Sequence, residues 1–254
     1  EVVLEAGGWE VIKRYVEQGM GISIVNEICL TGKEKLAVIP LEDDGTLRLD
    51  ALDALLDERT RILGVVHVSN ALGTVNPVRD MIGLAHAKHI PVLVDGAQAV
   101  PHGRVDVAEL DCDFYAFSGH KMFAPTGIGV LWGRETLLRA MPPWQGGGDM
   151  ILRVRLEEST WNELPWKFEA GTPGIVQTIG LGVALDYMMG LGMENIAAHE
   201  AGLARYAAER LSGLNWLNLQ GTAPGKAAIF SFTMQGAAHA HDISTILDKK
   251  GVAV

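Results

Sequence analysis

Short apolar runs alternate with amphipathic stretches along most of the chain. Residues 62–68 (ILGVVHV) form one run, closed by Ser69 and Asn70, and residues 90–94 (IPVLV) form a second, closed by Asp95 and Gly96. Residues 114–117 make a third, followed by Ser118-Gly119-His120-Lys121, and residues 128–132 a fourth. Between and after them, 81–89 and 135–141 carry helical spacing. Apolar runs of this length bounded by turn residues predict buried strands. Their alternation with helices predicts an α/β fold with a mostly parallel sheet covered on both faces. Such sheets bind ligands beyond the carboxyl ends of their strands, where Asn70, Asp95 and Ser118 to Lys121 all fall.

The second half changes character. Residues 145–149 (QGGGD) and 168–174 predict loops, and 175–191 and 194–214 two long helices. A strand over 228–234 and a helix over 241–250 then suit the start of a small second domain. The first forty residues predict a helix over 9–18 and strands over 22–25 and 36–39. The organisation expected is a segment of separate character over 1–41, a large domain over 42–190 and a small domain beginning in 191–254.

Composition narrows the function classes. The 254 residues carry 21 Lys and Arg against 31 Asp and Glu, a formal charge of −10. That balance argues against nucleic acid, which needs a basic face. No apolar stretch approaches the ~18 residues of a membrane span, and no basic and apolar leader opens the chain. Two cysteines, Cys29 and Cys112, make no disulfide framework, so a reducing cytoplasm is the expectation. No metal site is expected: His239, His241 and Asp242 read as a loop before a helix. Residues 221–226 (GTAPGK) lack the phosphate-loop spacing and read as a turn. His86 and His89 read as surface residues. The chain opens without Met and stops in an apolar run, which reads as a fragment.

Lys121 is the most informative residue. A Lys at the end of a buried strand is costly unless neutralised or used, and one use is a Schiff base with a carbonyl. Asp95 stands twenty-six residues earlier at another strand end. An Asp beside a pyridine nitrogen keeps that nitrogen protonated, so Lys with Asp is the protein's contribution to pyridoxal phosphate chemistry. The alternative from spacing alone is a solvated Lys121 and an Asp95 that caps the following turn.

The strings Val94-Asp95-Gly96-Ala97-Gln98-Ala99-Val100-Pro101-His102 and Phe117-Ser118-Gly119-His120-Lys121-Met122 resemble the class V aminotransferase family, and more narrowly its SufS-type cysteine desulfurases or selenocysteine lyases. His67-Val68-Ser69-Asn70, Gln145-Gly146-Gly147-Gly148-Asp149 and Phe168-Glu169-Ala170-Gly171-Thr172-Pro173 add to the resemblance, which runs from about Leu41 to Val254. It implies an aspartate-aminotransferase-like large domain and pyridoxal 5'-phosphate as cofactor. Lys121 would carry the cofactor, Asp95 would pair with its ring nitrogen, and Gln98 and Asn70 would lie at its phenolic edge. Ser118 and His120 would hold its phosphate, and Thr172 would reach the phosphate of the other subunit of a homodimer.

By the same resemblance the substrate is L-cysteine, the product L-alanine, and the sulfur passes as a persulfide to an acceptor protein in iron–sulfur cluster assembly. The family's nucleophilic Cys and N-terminal phosphate loop have no counterpart in these residues, so the fragment is expected to be inactive. Residues 1–41, with Gly8-Trp9-Glu10-Val11-Ile12-Lys13-Arg14-Tyr15-Val16 and Leu30-Thr31-Gly32, resemble the effector-binding domain of LysR-type regulators. A chimeric frame joined near residues 38–41 follows, and with it an alternative function: a non-catalytic small-ligand module or scaffold.

Overall fold

The computed structural model describes residues 41–236 and 239–253. The helix and two strands expected within 9–39 lie outside the described residues. The remainder is α/β, in the order α1 (Leu49–Leu55), β1 (Leu63–Val66), α2 (Val78–His86), β2 (Val92–Asp95), α3 (Val107–Leu110), β3 (Phe114–Ser118), β4 (Gly129–Gly133) and α4 (Glu135–Ala140). A hairpin, β5 (Ile151–Val154) and β6 (Ser159–Trp161), precedes α5 (Ile175–Leu191) and α6 (Met193–Ser212). Then come β7 (Leu217–Gln220), β8 (Ser231–Met234) and α7 (Ala240–Lys249).

The main sheet has the order β1-β2-β3-β4. β1, β2 and β3 run parallel, and β4 returns antiparallel along β3, from Phe114 opposite Gly133 to Ser118 opposite Gly129. α2 forms because Val78, Met81, Ile82 and Ala85 recur on one helical face, and all four are buried. That face packs on Leu63, Val65, Val92, Val94 and Tyr115, with Leu52, Leu56 and Ile90 at its margin. Burial alternates along β1 and β2, the second face being only half covered. The expected coverage of both faces is therefore met on one of them among the described residues.

Among the described residues β4 is an edge strand, with Val130, Leu131 and Trp132 exposed. The β7–β8 hairpin unit is anchored to the loop after β1: Ala227 N donates to Gly73 O at 2.8 Å and Ser231 Oγ to Ala71 O. Gly73, at φ 74°, admits that approach, since a Cβ there would lie 2.9 Å from Ile229 O. Among the described residues no single helix is long and apolar enough to cross a membrane; α5 and α6 pass the same test only as a pair bent by 75°. α1, α3, β5, β6 and β7 were not expected from the sequence.

Candidate functional site

The strand register sets the site. Asp95 ends β2 level with Val66 of β1 and Ala116 of β3. Neighbouring strands lie about 4.8 Å apart, so the turns that follow β1, β2 and β3 emerge side by side. Asn70, Asp95 and Ser118 to Lys121 occupy those three consecutive carboxyl ends. Asp95 and Ala116 are register partners and Ser118 lies two residues beyond Ala116, which puts Asp95 and Ser118 on one face of the sheet.

Each position is held by local backbone chemistry. Ser69 Oγ accepts from Ala71 N and Leu72 N at 3.3 and 3.1 Å, folding the turn on which Asn70 is exposed. Asn76 Nδ2 donates to Val66 O at 2.7 Å and closes β1 against the returning chain. Asp95 is exposed and accepts from Ala97 N at 2.9 Å. Gln98 lies half-buried in the turn beyond. Ser118 leads into a 3-10 turn over Gly119–Met122, which ends at Phe123 with φ 61°. Lys121 is half-buried there and His120 exposed. α5 braces this turn: Gly180 leaves room for the Pro125 ring, and Tyr187 meets Phe123 edge to face at 6.5 Å. Thr172 stands apart, exposed in a loop tied to Gly148 O through Gly171 N.

Sequence reasoning missed the support beneath these ends. Gly96 follows Asp95, and a Cβ there would fall 2.0 Å from the Tyr115 ring. Tyr115 Oη in turn meets His67 Nδ1 at 2.9 Å. Burial pushes the Tyr115 phenol well above its ordinary range and lowers His67 below its usual 6.5. The pair thus locks β1, β2 and β3 together as neutral groups. A His in an apolar run followed by Ser-Asn was the only signal. His86 is a correction: it is not a solvated surface residue but half-buried, with Nε2 at 2.8 Å from Asp113 Oδ2. Cys112 is fully buried. His239 caps α7, accepting from His241 N at 3.1 Å.

The donor set fits pyridoxal phosphate chemically: a carboxylate, an amine, and hydroxyl and imidazole donors on adjacent strand ends. The comparisons with known proteins agree in kind. The model of the aminotransferase class-V family matches residues 6–254. The match thus begins far before Leu41 and takes in the segment whose strings resemble a regulator's effector domain. A cysteine desulfurase of Escherichia coli is 49% identical over 248 residues, covering 97% of this chain and 61% of that protein. The crystal structure of the Escherichia coli cysteine desulfurase CsdA superposes with a TM-score of 0.79 at 37% identity, over 84% of this chain and 53% of the other. A variant of C-DES with glycine covalently linked to its PLP cofactor superposes at 0.73 and 26% identity, over 80% and 55%. The chain therefore spans somewhat over half the length of the relatives it matches.

Proposed function

The chain belongs to the class-V aminotransferase family, and from that premise we propose that it is part of a pyridoxal-phosphate-dependent cysteine desulfurase. The reading rests on one observation: Asp95 and the Ser118–Lys121 turn close two adjacent parallel strands of a family whose relatives include cysteine desulfurases. Bound there, pyridoxal phosphate supplies a protonated ring that draws electron density from the carbon bearing the substrate amine.

The residues divide the work. Lys121 Nζ holds the cofactor and, once released, moves a proton as a general acid and base. Asp95 keeps the ring nitrogen protonated by Coulombic attraction. Gln98 and Asn70 orient the opposite edge and the substrate carboxylate. Ser118 and His120 donate to the phosphate, and Thr172 serves the neighbouring subunit of a homodimer. L-cysteine gives up its sulfur to a thiolate and leaves as L-alanine, the sulfur then passing to an acceptor protein for iron–sulfur cluster assembly in the cytoplasm. Cys112 is not that thiolate, because it is buried and burial raises its thiol pKa. Cys29 lies outside the described residues. The 254 residues alone are accordingly expected to lack turnover.

The test is covalent. The chain is mixed with pyridoxal phosphate, reduced with borohydride and mapped by mass spectrometry. The adduct is expected on Lys121 and absent from Lys121→Ala. An adduct on another lysine that persists in Lys121→Ala overturns the reading.

The family match over residues 6–254 takes in nearly all of residues 1–41, which argues against a borrowed segment joined near residues 38–41.

A further inference from the structure

The turn that carries Asn70 is held from outside the main sheet. Residues 69–74 close on themselves through two backbone bonds, Gly73 N to Ser69 O and Ser69 N to Thr74 O, both at 2.9 Å. Ser69 Oγ takes the amides of Ala71 and Leu72. The carbonyl of Ala71, the residue next to Asn70, is bonded instead by Ser231 Oγ, 160 residues further along the chain at the start of β8. A carbonyl only accepts, so the hydroxyl is the donor.

Further contacts fix the same turn against the same unit. Ala227 N donates to Gly73 O at 2.8 Å. Gly221, directly after β7, approaches so closely that a Cβ there would fall 2.7 Å from Leu72 Cβ, and its φ of 70° suits glycine. Lys226 Nζ donates to Gly221 O at 2.6 Å, which ties down the loop between β7 and β8. On another side Thr74 Oγ1 donates to Gly45 O at 3.1 Å. The contacts at Leu72, Gly73 and Thr74 act two to four residues beyond Asn70. The Ser231 bond acts on its immediate neighbour.

We propose that Ser231 is a positioning residue for Asn70: its hydroxyl fixes the Ala71 carbonyl, and with it the backbone from which Asn70 serves the edge of the cofactor and the substrate carboxylate. Binding groups must be held in place by neighbours whose own geometry is locked. An exposed turn at a strand end lacks such support unless another element supplies it. Here the β7–β8 unit supplies it. The inference rests on the desulfurase reading and adds to it a contribution from residues far from the strand-end strings.

Titrating the 254-residue chain with pyridoxal phosphate, reducing with borohydride and quantifying the Lys121 adduct by mass spectrometry tests it. Ser231→Ala should raise the concentration for half-maximal adduct about three- to tenfold, the value of one hydrogen bond, and Ser231→Thr, which keeps the hydroxyl, should restore it to within about twofold. Thr233→Ala, which removes a hydroxyl that accepts from Gln220 Nε2 within the hairpin, should leave it unchanged. Asn70→Ala should weaken the titration too. Adding Ser231→Ala to Asn70→Ala should change little more, because a residue that acts through Asn70 then has nothing left to place. If Ser231→Ala fails to fold, Gly221→Ala disturbs the same turn through Leu72 and takes its place in the cycle. An unchanged titration in the folded variant, an equal effect from Thr233→Ala, or full additivity with Asn70→Ala would overturn the inference and leave the desulfurase reading standing. No adduct on Lys121 in the parent chain would overturn that reading, and the inference with it.

Discussion

Two aspartates eighteen residues apart lie at opposite ends of the same sheet in opposite surroundings. Asp113, at the amino end of β3, is buried and fully engaged. Its Oδ2 accepts from Val92 N at 2.7 Å and meets His86 Nε2 at 2.8 Å, while Oδ1 lies 3.0 Å from Arg134 Nε. Asp95, at the carboxyl end of β2, is exposed and accepts one bond, from Ala97 N two residues on. A buried carboxylate with both oxygens engaged ties elements together and has little left for a ligand. An exposed one at the carboxyl end keeps most of its acceptor capacity. Proximity in sequence and identity of residue type therefore say little about surroundings; position along the strand sets them.

The largest expected effect separates these two. Asp113→Ala strands Val92 N in the interior and removes the partner of Arg134 and His86, so unfolding in urea should show a loss of about 2–4 kcal/mol. Asp95→Ala should lose less than about 1 kcal/mol, the value of one exposed turn bond. Equal losses would erase the distinction between a buried, fully bonded carboxylate and an exposed one.

The glycines sharpen it. Gly96→Ala would drive a methyl group into the Tyr115 ring beneath the Asp95 turn, and should cost about 1–3 kcal/mol by overpacking. The same variant should weaken pyridoxal phosphate binding, since Asp95 is displaced with it; tryptophan-quench titration reads this.

A pH effect follows from His67. Its folded-state pKa is lowered by burial, so above 6.5 the ring is neutral in both folded and unfolded states. Below 6.5 the unfolded chain takes up the proton first, and stability falls as pH falls, by up to about 1.4 kcal/mol per pH unit, until the folded-state pKa is reached. Chemical denaturation at pH 7.5 and 5.5 should show a decline that is smaller in His67→Gln. An undiminished decline there would assign the pH dependence to other groups. The smallest effect has the opposite sign: Gly83, within α2 and with open space around its Cβ position, should stabilise by about 0.5–1 kcal/mol when replaced by Ala. A loss at Gly83 would mean that α2 is governed by something other than helix propensity.

The strand-end positions of Asn70, Asp95 and Lys121 were legible because they are written in local strings. Each lies within four residues of the end of an apolar run, and parallel α/β sheets present such positions at one edge. The amino-end network was not. His86 has Lys88 and His89 as close neighbours and reads as solvated, yet its partner Asp113 lies twenty-seven residues away. Nothing local in residues 111–113 announces that Arg134 will fold back on them.

By itself the sequence determined the alternation of strands and helices, the residues at the strand ends and the acidic, cysteine-poor character of the chain, because these follow from periodicity and composition over short windows. The tertiary structure alone decided that β4 runs antiparallel at an edge, that one sheet face packs more closely than the other, and that Tyr115 lies under Gly96 against His67. These depend on contacts between residues distant in the chain, whose geometry arises only when the strands register against one another and the intervening loops close.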